Sequence, residues 1–286
     1  PFSNTVVITG TATDGNSGVA NVRLERDNGS VVALCGSSNL TPPPPTGSTA
    51  WDCTWNTTLV ADGTYTLRAI ITDGAGNTNL TPIERIVVVD NTPPVVGALT
   101  WTPVTGTGYQ FVSGTTLWVN PAQSGSARLT VPATDAGTGV NRVDFPDVDG
   151  AGSIWTPGAS SDLSNPYETV YGWSAGATSP NGQSVTAFDN AGKSTTGSFT
   201  ISTDNAPPSG GSISYPNAII APSAVSVTFT SGTDGGAGVG DRQLQRDETT
   251  FINGVCGVFP GTYTNLGAVN PTSPYSDATV ATAKCY

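Results

Sequence analysis

The chain has 286 residues, room for two or three domains of ordinary size, and is punctuated throughout by 35 glycines and 22 prolines. Only 11% of the residues are charged, which excludes a charge-rich disordered tail. The net charge is −11 and Lys193 and Lys284 are the only lysines, so no nucleic-acid partner is expected: binding a duplex takes cations that displace counterions from phosphate.

No stretch of ten residues reads as an amphipathic helix, because Gly, Pro or β-branched residues interrupt every candidate, and the chain is predicted to be all-β. The longest apolar runs, such as Ile86-Val87-Val88-Val89, have the length of a strand, so no direct membrane insertion is expected. The chain opens at Pro1 rather than Met, which predicts a leader or upstream domains before it. The acidity fits either plain solubility or an attraction for divalent cations.

Taken in chain order, the first marker is Thr13-Asp14-Gly15-Asn16-Ser17-Gly18-Val19. After it, Tyr65, Leu67, Ala69 and Ile71 alternate with Thr66, Arg68 and Ile70, as in a half-buried strand. Two further markers follow, Thr72-Asp73-Gly74-Ala75-Gly76-Asn77 and Val89-Asp90-Asn91-Thr92-Pro93-Pro94. The same order then recurs. Ala127, Leu129, Val131 and Ala133 share one strand face, ahead of Thr134-Asp135-Ala136-Gly137-Thr138-Gly139-Val140. Phe188-Asp189-Asn190-Ala191-Gly192-Lys193 and Thr203-Asp204-Asn205-Ala206-Pro207-Pro208 complete the second copy. A third copy begins with Val225, Val227 and Phe229, whose phase relative to Gly232 predicts a β-bulge. It reaches Thr233-Asp234-Gly235-Gly236-Ala237-Gly238-Val239. A period of about 100 residues is too long for a solenoid and suits whole sandwiches. A Pro-Pro pair cannot sit in a central strand, so each marks a stiff junction. Domains are therefore expected at 1–90, 91–206 and 207–286.

The series T-D-x-x-x-G-V, D-G-x-Y (Asp62-Gly63-Thr64-Tyr65), T-D-x-A-G-N and V-D-N-T-P-P resembles the bacterial Ig-like (Big-type) domains repeated in adhesins and other large cell-surface proteins. The resemblance implies tandem immunoglobulin-like Greek-key β-sandwiches of seven strands, with Tyr65 as a tyrosine corner. It implies an extracellular structural or spacer array, part of a cell-surface fibre, filament or adhesin stalk, whose partners are other copies or further domains of the same surface protein. The middle copy departs from the pattern, with Asn181 where the corner tyrosine would stand. The spacing from Asp14 to Tyr65 nearly equals that from Asp234 to Tyr286, which puts Tyr286 at the start of the corresponding strand. On that count domain 1 lacks its first strand and domain 3 its last two. The expectation is a polypeptide that continues past Tyr286, with strand donation by a neighbouring copy as the alternative.

Chemistry-bearing patterns are few, and no enzyme is expected. There is no histidine for a catalytic triad, no G-x-S-x-G elbow and no glycine-rich loop with the lysine of a phosphate cradle. Glu25, Glu84, Glu168 and Glu248 are scattered, and Asp144, Asp147 and Asp149 read as an acidic turn rather than a glycosidase pair. No cysteine pair has zinc-knuckle spacing. Cys35 and Cys256 lie almost equally far beyond Asp14 and Asp234, and each has one further cysteine in its domain, so the predicted disulfides are Cys35–Cys53 and Cys256–Cys285, formed in an oxidising compartment.

In an Ig-like sandwich the last strand exits opposite the end that carries the B–C and F–G loops, so each exit aspartate is delivered to the loops of the next domain. Asp90 is expected to approach Asp135 and Asp189, and Asp204 to approach Asp234. Two readings stand: candidate Ca²⁺ ligands at the domain junctions, the only cofactor suggested, or aspartates that cap their own turns. Trp155, Tyr167, Tyr171 and Trp173 in the middle copy also carry two readings, a sugar-binding platform or core packing. The platform reading defines a rival function, a module on domain 2 that binds a glycan or a host or cell-surface protein. Asn28, Asn39, Asn56 and Asn79 each begin an N-x-S/T sequon, meaningful only in a eukaryotic secretory pathway.

Overall fold

The computed structural model describes residues 1–35, 47–150, 152, 154–216, 218, 219 and 224–286; the sequon at Asn39 lies outside them. Among the described residues the regular elements are β-strands and two single turns of 3₁₀-helix, Thr57–Leu59 and Thr107–Tyr109. The frequent Gly and Pro break every run before a helix can nucleate, whereas short strands need only local alternation. The chain forms two compact units. One comprises Pro1–Thr105, Ser126–Trp173 and Pro180–Thr200, and the other Gly106–Gly125, Ser174–Ser179 and Ile201–Tyr286.

The first unit opens with strands β1 (Thr5–Asp14), β2 (Val19–Asp27), β3 (Val31–Cys35), β4 (Gly47–Asn56), β5 (Gly63–Asp73) and β6 (Ile83–Val89). β1 and β4 pair from Thr5↔Asn56 to Asp14↔Gly47, and the facing sheet has the order β3-β2-β5-β6. This is the two-sheet arrangement of an Ig-like sandwich. Tyr65, Leu67 and Ala69 turn inward as their alternation predicts, and Tyr65 and Leu67 pack with Trp55 and Val89. The Tyr65 hydroxyl donates to the carbonyl of Ala61 at 2.8 Å, the expected tyrosine corner. Phe2 bridges Val89 in parallel: its N–H donates to Val88 O at 2.7 Å and its carbonyl accepts from Asp90 N at 2.9 Å. Cys35 at the end of β3 is bonded to Cys53 in β4, so this disulfide ties the two sheets together.

The middle copy supplies β7 (Val95–Val96), β8 (Thr100–Thr105), β9 (Gln110–Ser113), β10 (Thr116–Val119), β11 (Gly125–Val131), β12 (Ala133–Thr134), β13 (Val140–Phe145), β14 (Trp155–Thr156), β15 (Ser160–Asp162), β16 (Tyr167–Trp173), β17 (Asn181–Asp189) and β18 (Ser194–Thr203). In the first unit β14-β16-β11-β8 form one sheet, and β15, β13 and β17 lie in sequence in another. Ala127, Leu129, Val131 and Ala133 are buried, as predicted. Trp101, Tyr171 and Phe199 form an aromatic centre with ring centroids 5.6 to 6.0 Å apart. Asn181 opens β17 at φ 62°, and here Tyr171 makes a comparable tie, its hydroxyl donating to Pro146 O at 2.8 Å. Burial pushes the Tyr171 phenol well above its ordinary range, and the nearby Asp147 charge adds to this.

In the second unit β9 and β10 form a hairpin, and Val119 O accepts from Asp204 N at 2.8 Å. The third copy adds β19 (Ser212–Ser214), β20 (Val225–Thr230), β21 (Leu244–Arg246), β22 (Thr249–Ile252), β23 (Val255–Cys256), β24 (Thr264–Leu266), β25 (Tyr275–Asp277) and β26 (Lys284–Cys285). They pair as β19-β20-β25, β21-β24 and β23-β22-β26. Val227, Leu244 and Leu266 are its buried centre, and an apolar cleft of about 600 Å³ opens beside Tyr215, Ile219, Phe251 and Tyr286.

The bulge expected at Gly232 is not formed. Pairing runs through Ser212↔Thr230, stops, and resumes at Ser209↔Thr233 in unchanged register. Gly210 and Gly232, both near φ 77°, let the two strands part and rejoin without an extra residue. Cys256–Cys285 forms as predicted, but it spans the outer strands of the sheet β23-β22-β26 rather than joining two sheets. Cys35 and Cys256 are both on the strand that returns from a hairpin; Cys53 and Cys285 are on different elements. The Tyr286 ring lies under Arg246 at 4.4 Å, and the Tyr65 ring near Arg26 at 5.4 Å.

A candidate cation site of three aspartates

Three turns of the first unit converge on one small volume. Asp135 follows β12, and its Oδ1 accepts from the N–H groups of Gly137 at 3.1 Å and Gly139 at 2.7 Å. Gly139 has φ 79°, so the T-D-x-x-x-G-V loop needs glycine there. Asp189 ends β17, and its Oδ1 accepts from Ala191 N and Lys193 N, both at 2.8 Å. Asp90 leaves β6 and is held by the bond to Phe2 O; its Oδ2 accepts from Thr138 N and Thr138 Oγ1, both at 2.7 Å. One carboxylate oxygen from each aspartate lies within 4.8 Å of the other two.

Each aspartate therefore caps a turn, as one sequence reading expected, and the three also meet, as the other did. Asp90 and Asp189 are 0% and 1% exposed, and Asp189 Oδ2 has no hydrogen-bond partner. Among the described residues none of the three is in a salt bridge; Lys193 turns its Nζ to Asn4 Oδ1 instead. Buried carboxylates that repel one another at this range are costly without a compensating positive charge. An oxygen-only donor set of this kind suits a hard cation such as Ca²⁺ and not a soft metal.

The corresponding pair in the second unit is less complete. Asp204 Oδ2 accepts from Ala237 N at 2.6 Å, and Asp234 Oδ1 accepts from Gly236 N and Gly238 N, both at 3.0 Å. No third acid joins them among the described residues.

The aromatic platform is corrected by the structure. Trp155, Tyr167, Tyr171 and Trp173 are 2%, 6%, 0% and 3% exposed. Odd-numbered residues of β16 face the core, and Trp155 packs on Trp173 with centroids 5.6 Å apart, so the rings fill the sandwich and present no face to solvent. Asp149 Oδ2 caps the N–H groups of Ile154 and Trp155, in keeping with an acidic turn, but Asp144 lies within strand β13, paired with Arg142 of the same strand. The Asn79 side-chain amide is bonded to Ile71 N and Ala69 O.

One element was missed in the sequence. Asp62 of D-G-x-Y accepts from Asn91 N at 2.8 Å, Asn91 Nδ2 at 3.1 Å and Thr92 Oγ1 at 2.6 Å. The two motifs thus clamp each other and fix the exit of β6 beside the three-aspartate site. Their co-occurrence in the first copy was the available signal.

These sheets, the tyrosine corner and the repeated loops define tandem immunoglobulin-like β-sandwiches. Residues 1–69 match the profile of a bacterial Ig domain family. Among solved structures, the chain is similar at 17% identity to one described in work on host cell surface retention of a 1.5-MDa bacterial ice-binding adhesin, with a TM-score of 0.37 over 93% of this chain and 77% of that one. A tetra-tandem repeat from the extending region of a large adhesion protein gives 15% identity and a TM-score of 0.26, over 92% of this chain and 64% of that one. A complex of Dpr2 Ig1-Ig2 with DIP-Theta Ig1-Ig3 gives 12% identity and 0.22, over 72% and 93%. The chain has no significant sequence match among curated proteins.

Proposed function

We propose that the chain is a non-enzymatic spacer array of an extracellular surface protein, and that a Ca²⁺ ion held by Asp90, Asp135 and Asp189 stiffens the joint between its first two repeats. One observation carries the cation: Asp189 is buried with its Oδ2 unpartnered, and it offers a carboxylate oxygen within 4.8 Å of one each from Asp90 and Asp135. The repeated sandwiches, the two disulfides and the match of residues 1–69 to bacterial Ig domains support the array and its oxidising location. The partners in this reading are further domains or copies of the same surface protein. Asp90 belongs to the end of one repeat, Asp135 and Asp189 to loops of the next, so an ion bridging them resists bending at the joint.

Calorimetric titration of the chelator-treated chain with CaCl₂ tests this. The expected result is one site per chain, in the 10⁻⁴ to 10⁻³ M range usual for extracellular modules or tighter. Asp189→Asn is expected to weaken it at least about tenfold, because it takes a charge from the buried ligand whose Oδ2 has no other partner. Absence of saturable binding at millimolar Ca²⁺ would leave the three aspartates as turn caps.

A further inference from the structure

The three copies of the T-D-x-x-x-G-V loop are alike in sequence, but one backbone N–H in them changes partner. In all three, the loop aspartate accepts from the residues two and four places on: Asp14 from Asn16 and Gly18, Asp135 from Gly137 and Gly139, Asp234 from Gly236 and Gly238. The residue three places on behaves differently. In the first copy Ser17 N donates to its own Asp14 at 2.8 Å. In the second, Thr138 N donates to Asp90 at 2.7 Å, and in the third Ala237 N donates to Asp204 at 2.6 Å. Both acceptors are exit aspartates of the preceding repeat.

The residue beside this N–H follows the same division. Gly137 and Gly236 stand where the carboxylates of Asp90 and Asp204 lie against the chain, and a Cβ on either glycine would overlap that carboxylate. The first copy has Asn16 at this position. Neither Gly137 nor Gly236 is at positive φ, so the backbone conformation does not call for glycine there. Close approach of the incoming side chain does.

We propose that the T-D-x-G-x-G-V form of the loop is a seat for the exit aspartate of a preceding V-D-N-x-P-P repeat, and that the residue two places after the loop aspartate decides whether a repeat can be seated. Glycine opens the seat and frees the next N–H for a charge-assisted bond to the incoming carboxylate. Asn16 closes it, and the N–H returns to Asp14. A repeat placed upstream of domain 1 therefore does not dock on it as domain 1 docks on the second copy. The two open seats differ in strength as well: Thr138 adds its hydroxyl as a second donor to Asp90, and Ala237 offers none. This inference goes beyond the cation reading and does not depend on it, because the donors are backbone and hydroxyl groups.

The test uses the full chain in excess chelator, so that no cation contributes. Bioorthogonal spin labels at Leu80 and Ser194, both solvent-exposed, report the distance between the first repeat and the second by pulsed electron resonance. With the ion's share of the stiffness removed, wild type is still expected to give a narrower distribution than the variants that lose the seat. Gly137→Asn and Asp90→Ala are each expected to broaden it at least about twofold, because both remove the charge-assisted bond. Asn16→Gly is expected to leave it unchanged. Circular dichroism melts establish that each variant is folded; should Gly137→Asn not fold, Asp90→Ala decides. A wild-type distribution already as broad as the variants, or no broadening in Asp90→Ala, overturns the seat.

Discussion

Aspartate is the residue that organises this chain, and its environment sets what each copy contributes. Asp277 lies 4% exposed at its side chain, 2.6 Å from Arg246, and its Oδ1 accepts from Thr279 N and Oγ1. Burial pushes its carboxyl upward, but the Thr279 and Arg246 hydrogen bonds and the Arg246 charge outweigh it, and the group is held below the usual carboxylate range. Asp62 is lowered in the same way, with burial opposed by the bonds from Thr92 and Asn91. A carboxyl lowered in the folded state contributes stability that is present above its unfolded value of about 4 and is lost as pH falls through the lower folded value. Asp277→Asn is therefore expected to cost about 2 kcal/mol at pH 7, the weight of hydrogen bonds to a charged group. Its deficit relative to wild type should narrow as pH drops below about 4. Urea titrations at pH 7 and at pH 3 measure this, and a deficit that is the same at both values would place the effect in packing.

At the scale of elements, the two disulfides do different work from similar sequence positions. Cys35–Cys53 joins facing sheets across 18 residues, and Cys256–Cys285 closes 29 residues around one small sheet. Loop-closure entropy gives each about 3 kcal/mol. Among the described residues the buried apolar cluster of the third copy, Val227, Leu244 and Leu266, is still 8% to 9% exposed, whereas Trp55, Tyr65, Leu67 and Val89 in the first are at most 5% exposed. The same cross-link is thus a larger share of the third copy's stability. Cys256→Ser with Cys285→Ser is expected to abolish cooperative melting of the third copy, while Cys35→Ser with Cys53→Ser lowers a melting transition without erasing it. Calorimetric scans of both double variants make the comparison. Loss of the first copy's transition with the third intact would reverse the assignment.

For the whole molecule, the consequence of the proposed joint is mechanical. Pro93-Pro94 fixes local backbone at the first junction, Asp62 clamps Asn91 and Thr92, and Ser3 Oγ donates to Ala191 O at 2.7 Å. None of these needs a cation. Chelation is therefore expected to broaden the pair-distance distribution in small-angle scattering while leaving the melting transitions of the sandwiches nearly in place. Asp90→Ala, which removes the bonds from Thr138 as well as a ligand, should broaden that distribution at least as much in the presence of Ca²⁺. A profile indifferent to both changes would assign the stiffness to the prolines and to the Asp62 clamp. The net charge of −11 favours solubility and does not bear on the fold.

The sequence by itself determined what depends on period and on local turn chemistry. Alternation puts Ala127, Leu129, Val131 and Ala133 on one face because successive strand residues point to opposite sides, and burying one face leaves no other register. The order of the motifs gave the repeat, and with it the meeting of Asp90, Asp135 and Asp189, because a sandwich delivers its last strand to the loops of the next. What alternation cannot say is which of two faces another sheet will cover. The aromatic residues of β14 and β16 were therefore open to an exposed reading until the facing sheet was in place. Phase alone could not tell a bulge from a symmetric parting of two strands at Gly210 and Gly232, since both displace the pattern locally. Nor could spacing tell that Cys35–Cys53 joins two sheets while Cys256–Cys285 stays within one, because the spacing of two cysteines does not say which sheet each strand enters. The orphaned oxygen of Asp189 and the N–H that leaves Asp14's pattern for Asp90 arise only in three dimensions. Both are set by groups from a neighbouring repeat, and nothing within the loop's own sequence fixes where that neighbour arrives.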